Sequence, residues 1–191
     1  MQKLLMISLR YTVVTTLLLG LGYPLLVTGL AQSFWKKQAN GSLIVQNGTI
    51  LGSHWIGQSF SGPQYFHSRP SAAGNGYDPT ASGGSNWSPS NQKLVDRITA
   101  SVQAEQVGTS SAPVPVDLVT ASGSGLDPDI TPAAAMYQAQ RVAQARDLAV
   151  DQVQALVRQN TQERQFGLLG ERRVNVLELN LALDQIQQSA K

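Results

Sequence analysis

Apolar residues run without a charge for 21 positions, from Tyr11 to Ala31 (YTVVTTLLLGLGYPLLVTGLA), and polar residues close in on both sides. At about 1.5 Å of helical rise per residue, roughly 20 such residues cross the hydrocarbon layer of a bilayer. Lys3 and Arg10 stand at one mouth; Phe34, Trp35, Lys36 and Lys37 stand at the other. Basic and aromatic residues at interfacial depth are the flanks of a spanning helix. The pattern therefore divides the chain into an N-terminal flank (1–10), a transmembrane helix (11–31) and a soluble part (38–191). The rival reading is a cleaved signal peptide, with Gly29-Leu30-Ala31 as a small-x-small site before Gln32. Signal-peptide cores usually span about 7–15 residues, and this one is longer. Aromatic and lysine anchors beyond it would also serve nothing after cleavage, so the helix is expected to stay.

Inside the span, Thr12, Thr16, Gly20 and Pro24 recur every fourth residue, while Val14, Leu18, Leu21 and Leu25 gather opposite. Small residues let another helix approach closely, so this row is the expected face for other membrane helices. The alternative is that lipid simply tolerates it. Pro24 removes a backbone hydrogen bond and implies a kink.

Past Lys37 the pattern changes period. Ser42–Gln46 and Thr49–Leu51 flank Asn47-Gly48, the signature of a β-hairpin with a type I′ turn. From Gly52 to Ser90, seven Gly, four Pro and nine Ser leave no periodicity, yet six of the chain's twelve aromatic residues fall there. Disordered segments are poor in aromatics. An ordered, irregular, aromatic-pinned region over 52–90 is expected, and it is the expected contact face.

Ser90 caps an expected helix to Gln106, with Leu94, Val95, Ile98 and Val102 on one side. A turn-rich linker follows at Gly108–Pro115, and Val116–Val119 reads as a short strand. Thr131-Pro132 starts a helix to Arg146, a hydroxyl cap followed by proline at the first helical position. A further helix is expected over Val150–Asn160. Asn175 caps a last one carrying Val176, Leu179, Leu183 and Ile186 at helical spacing. The expected class is α+β: one N-terminal transmembrane helix followed by one soluble α+β domain.

Charge alters the picture in one respect. The overall balance is +2 and the sequence pI about 9.0, but four of the 14 basic residues flank the span and all 12 acidic ones lie beyond it. The soluble part is thus slightly acidic, without the clustered positive charge of a nucleic-acid footprint. The absence of cysteine removes disulfides, thiolate metal sites and cysteine nucleophiles. Basic residues near the span favour a cytoplasmic N-terminus and an extracytoplasmic domain.

Candidate chemistry is sparse. His54 and His67 lie 13 positions apart, without metal-ligand spacing. Asp127 and Asp129 precede a helix start, where acidic residues suit the dipole. Arg69 is the single basic residue between Lys37 and Lys93, with Asp78 or a partner carboxylate as its expected counter-charge. Ala81–Asn86 and Ala121–Asp127 are glycine-rich but lack the lysine of a phosphate-binding loop. Ser122, Gly123, Ser124 and Gly125 remain weak candidates for a nucleotide or anion nest; turn formation is the default. No nucleophile, base and orienting group stand together, so no catalytic residue, metal or firmly bound cofactor is expected. Two function classes remain. One is a membrane-anchored interaction subunit, with Trp55, Tyr65, Arg69 and Trp87 as contact candidates. The other is an anchored or secreted binding module for a small ligand or glycan, with Trp55, Tyr65 and Trp87 as stacking platforms.

Several irregular strings carry a resemblance. They include Gln38–Leu43 (QANGSL), Ile56–Phe60 (IGQSF), Tyr65–Ser71 (YFHSRPS), Tyr77–Asn86 (YDPTASGGSN) and Val114–Asp127 (VPVDLVTASGSGLD). Ile130–Ala134 (ITPAA), Arg141–Arg146 (RVAQAR) and Val174–Asp184 (VNVLELNLALD) follow in order. In these the chain resembles the C subunit of the Kdp-type potassium-transporting P-type ATPase over nearly its whole length. The resemblance implies a non-catalytic, single-pass subunit of a bacterial inner-membrane complex. Its companions would be a channel-like, potassium-selecting A subunit, an ATP-hydrolysing B subunit and a small F subunit. It implies a catalytic-chaperone role that raises the ATP affinity of the B subunit. An extracytoplasmic domain cannot meet cytoplasmic ATP, so ATP would matter only through coupling across the complex.

Overall fold

The structure is a computed structural model that describes residues 1–106 and 112–189. The first half of the linker expected at Gly108–Pro115 lies outside the described residues. The chain divides into two compact units, residues 1–43 and 44–191.

The first unit is built on one helix, Gln2–Phe34, of 33 residues, none of whose apolar window is buried. It comprises α1 (Gln2–Thr15), a wide π turn (Thr16–Gly22) and α2 (Tyr23–Phe34). The defect expected of Pro24 takes the form of this wide turn just upstream. The Tyr23 N–H donates to Leu18 O, five residues back. Proline offers no N–H and its ring crowds the carbonyl four residues earlier, so a locally widened helix accommodates it. Side-chain hydroxyls are returned to the helix: Thr15 Oγ1 donates to Tyr11 O at 2.8 Å and Ser33 Oγ to Gly29 O at 2.7 Å. After Trp35 a single turn, α3 (Lys36–Ala39), is fixed by Asn40, whose Nδ2 donates to Lys36 O and Gln32 Oε1.

The second unit is mixed α and β, as expected. Its hairpin pairs β1 (Leu43–Gln46) with β2 (Thr49–Ser53), and Asn47 and Gly48 both take positive φ, 51° and 79°. After the irregular region come α4 (Gln92–Gln106), β3 (Asp129–Ile130), α5 (Pro132–Arg146) and α6 (Val150–Gln159). β4 (Thr161–Gln162), β5 (Arg173–Asn175) and α7 (Val176–Ser189) complete the chain. The three short strands form an antiparallel sheet with β5 in the middle.

The core lies where α5, α6 and α7 meet this sheet. Ala134, Ala135, Ala139 and Ala143 line α5, so α6 can approach closely; Val153 and Val157 fill the space from α6, and Leu179 and Leu183 from α7. Phe66, from the irregular region, is fully buried among them. The expected caps are present: Thr131 Oγ1 accepts from the Ala134 N–H, and Asn175 Oδ1 from that of Glu178.

Three expectations need correction. The α4 helix is entered through Asn91, whose Oδ1 accepts from the Lys93 N–H, rather than through Ser90. It also buries no residue fully, and Val95 faces solvent, because the helix lies on the surface of the core. Val116–Leu118 is a 3-10 turn, not a strand: Val116 is exposed while Asp117 and Leu118 are both buried. The turn brings Asp117 Oδ2 to the Thr131 N–H at 2.6 Å, an acidic group at the mouth of α5.

Candidate functional site

A fourteen-residue irregular segment, 58–71, passes over the core without a strand partner and inserts Phe66 into it, and its backbone polar groups must still be satisfied. Side chains of α5 and α7 do this. Asn180 Oδ1 accepts from the Phe66 N–H at 2.9 Å, and its Nδ2 donates to Phe66 O at 3.0 Å. Gln138 does the same for His67, at 2.7 and 3.1 Å. Arg141 Nη1 donates to the carbonyls of Pro63 and Tyr65, and Arg146 Nε to that of Gln64. Arg146 also pairs with Asp184 at 2.7 Å and lies 4.8 Å from the Tyr65 ring centre. Burial lowers the Arg141 pKa, with Glu105 opposing. This clamp was missed in the sequence, because buried amides and guanidines sit at core spacing on helices otherwise read by their apolar positions.

The expected site residues fall into separate places. Arg69 meets Asp127 at 3.1 Å, with the carbonyls of Thr120 and Ala121 beside it. Asp78 is not its partner. Its Oδ1 instead accepts from the N–H and hydroxyl of Thr80, closing the 3-10 turn Pro79–Ala81 and lowering the Asp78 pKa. Trp87 lies 5.1 Å from the Arg97 guanidinium, and Trp55 stands edge-on to His54. Trp55 keeps 57 % of its surface exposed, the largest share among these contact candidates. In the helix, Thr12, Thr16, Gly20 and Pro24 are all exposed.

Ser122–Gly125 packs against the other glycine-rich stretch. Gly83 N–H donates to Ser124 O at 2.8 Å, Ser71 Oγ donates to Gly125 O, and the Gly125 N–H donates to Ser122 Oγ. Gly125 has φ +66°, and a Cβ there would lie 2.7 Å from Ala73 N and Gly83 O. The loop is thus committed to packing at that position.

The acidic residues before α5 border a cleft of about 350 Å³ with Arg69, Arg172 and Arg173. Asp127 is taken by Arg69, and Asp129 by Arg173 at 3.0 Å. Burial raises the Asp129 pKa; Arg173 pulls it back and the Asp127 charge adds to the rise. A second cleft of about 300 Å³ is bordered by His67, Arg69, Tyr77 and Glu105. Burial raises the Tyr77 pKa, and its hydroxyl donates to Arg69 O at 2.7 Å. His54 Nδ1 lies 2.7 Å from Glu178 Oε1. Among the described residues, no three His, Asp or Glu gather as metal ligands.

Among the described residues one helix is long and apolar enough to cross a bilayer, and the α+β domain follows it, which defines a class: proteins with an α+β domain on an N-terminal apolar helix. The family model described as "KdpC: K+-transporting ATPase, c chain" matches residues 5–185, taking in both units, and the chain belongs to that family. Its relatives agree over most of their lengths. The potassium-transporting ATPase KdpC subunit of Acidobacterium capsulatum is 61% identical, covering 94% of this chain and 96% of the relative. Those of Koribacter versatilis and Rhodospirillum rubrum are 58% and 56% identical, covering 98% and 89% of this chain and 97% and 89% of the relatives.

Proposed function

We propose that this chain is an accessory, non-catalytic subunit of a potassium-transporting ATPase complex in the bacterial inner membrane. The observation that carries this is the family match, which runs without interruption from the apolar helix through the domain. The helix spans the bilayer once with its N-terminus in the cytoplasm, and the domain stands outside. Thr12, Thr16, Gly20 and Pro24 give a neighbouring helix a close approach, and such a neighbour would support the exposed π turn that holds Thr16 and Gly20. The companions are the channel-like A subunit, the ATP-hydrolysing B subunit and the small F subunit.

In this reading the chain raises the ATP affinity of the B subunit by coupling through the complex, worth about 1–3 kcal/mol, or roughly 5–150-fold. ATP is not expected at Ser122–Gly125, because Gly125 is packed against Ala73 and Gly83. The ring faces named for a glycan site favour the subunit reading: Tyr65 is covered by Arg146, Trp87 lies against Arg97, and neither cleft is bordered by Trp55, Tyr65 or Trp87.

The test is co-purification through a C-terminal tag from detergent-solubilised membranes, followed by ATPase assays with and without the chain. Membrane subunits should co-elute, and depletion of the chain should raise the KM for ATP. A chain that elutes alone and starts near Gln32 would refute the proposal. Gln2→Cys and Asp151→Cys, both at exposed positions in a protein with no native cysteine, test orientation. An impermeant thiol reagent on intact cells should label only the second.

A further inference from the structure

Between β4 and β5 the chain makes a short projecting turn. Gln165 and Leu169 exchange both backbone hydrogen bonds at 2.9 Å, and Gly167 N–H donates to Arg164 O. The turn is rooted firmly, because β5 is the central strand and Val174 on it is fully buried. Its tip carries Phe166, Leu168 and Leu169, which are 90%, 81% and 60% exposed. Phe166 also has φ +54°, a conformation that a bulky residue rarely adopts. Backbone strain that holds an apolar ring in water is retained where the ring has something to meet.

Charge and area narrow what that is. Arg164 pairs with Glu171 at 2.6 Å and Arg172 with Glu163 at 2.7 Å, so two cations and two anions ring the tip and cancel. A membrane-seeking tip gains its hold from excess Lys or Arg over anionic lipid, and here there is none. The three side chains offer roughly 400 Å², about half of the ~800 Å² per partner that a stable interface needs. A second free copy could not be held by so small a patch. A partner already tethered nearby could, since the second contact then forms at high effective concentration.

We propose that Phe166, Leu168 and Leu169 form a prong that seats in an uncharged apolar pocket, outside the bilayer, on the membrane subunit that also receives the anchor helix. This rests on the subunit reading above. Phe166 is the central anchor, an aromatic side chain ringed by charge pairs that exclude water around it.

The test uses the full-length chain co-expressed with its transport complex in native membranes. A photoreactive benzoyl-phenylalanine in place of Phe166 should give, on irradiation, an adduct with a larger integral membrane subunit. Adducts with lipid alone, with a second copy of this chain, or with nothing would overturn the prong. In parallel, Phe166→Ala combined with Leu168→Ala should leave the melting temperature unchanged, since both side chains are exposed. The same pair should speed dissociation from the solubilised complex at least tenfold. If the unaltered chain co-purifies with membrane subunits and the double variant dissociates no faster, the prong alone fails. If the unaltered chain brings no membrane subunit, the subunit reading fails and the prong falls with it.

Discussion

Replacing Asn180 with alanine tests the clamp most directly. Asn180 is 1% exposed and satisfies both the N–H and the C=O of Phe66, whose ring is fully buried in the core. The substitution strands a buried donor and a buried acceptor, each costing about 1–3 kcal/mol when left unsatisfied. The loss should total about 2–5 kcal/mol, against a whole-domain stability of roughly 5–15 kcal/mol. For a domain of this size, each kcal/mol moves the melting point by about 2–4 °C, so a fall of roughly 4–20 °C is expected. Tryptophan-fluorescence melting of the full-length protein in detergent would read it. Hydrogen exchange should accelerate at Phe66 and His67 well before it does in α6. A melting point within 2 °C of the unaltered protein's, to take a round threshold from the same scale, would refute the idea that helix side chains hold this segment. So would unchanged exchange at Phe66.

Gly125→Ala should destabilise by about 2 kcal/mol or more, since the new Cβ meets backbone and φ is +66°; Gly123→Ala, with open space around it, should be neutral in the same melting assay. Arg141→Lys should cost about 1–2 kcal/mol in urea unfolding, because one ammonium cannot reproduce the guanidinium fork that reaches Pro63 O, Tyr65 O and Gln138 Oε1. Asp129 has a raised pKa, so its ionisation costs the folded state more than the unfolded one. Its contribution to stability is fullest below the ordinary carboxylate value and is lost as pH climbs through the raised one. Asp129→Asn should remove that pH-dependent fall, seen as a flatter urea midpoint as pH rises above the ordinary carboxylate value, with a pH-independent offset from the lost Arg173 pair.

The elements legible in the sequence were those set by local chemistry. Asn47-Gly48 needs two positive φ values, Thr131-Pro132 supplies a hydroxyl and a pre-set φ, and Asn175 offers a cap; each produced the expected element. The apolar helix was legible because its period and length suffice without any partner. Val116–Val119 misled because alternation over four residues is weak evidence, and the buried bond from Asp117 to Thr131 outweighed it. Arg69 went to Asp127 rather than Asp78 because residues 58 apart in sequence meet only in the fold. The clamp was illegible for the same reason: Asn180 and Gln138 answer to backbone groups 114 and 71 positions away. The prong left a fainter trace in Phe166-Gly167-Leu168-Leu169-Gly170, glycines on either side of apolar residues, which no periodicity rule singles out.

Because Asn180, Gln138, Arg141 and Arg146 grasp main-chain atoms, they are indifferent to which side chains the grasped residues carry. Within 58–71, Phe66 fills the core and Arg69 and Ser71 bond within the domain, whereas the exposed positions Ser59, Ser61 and Pro63 are free to drift under selection from whatever lies outside. The four holders are not. A lineage can therefore retune this outward face residue by residue while its route across the domain stays fixed, as a type-setter changes letters without recasting the frame.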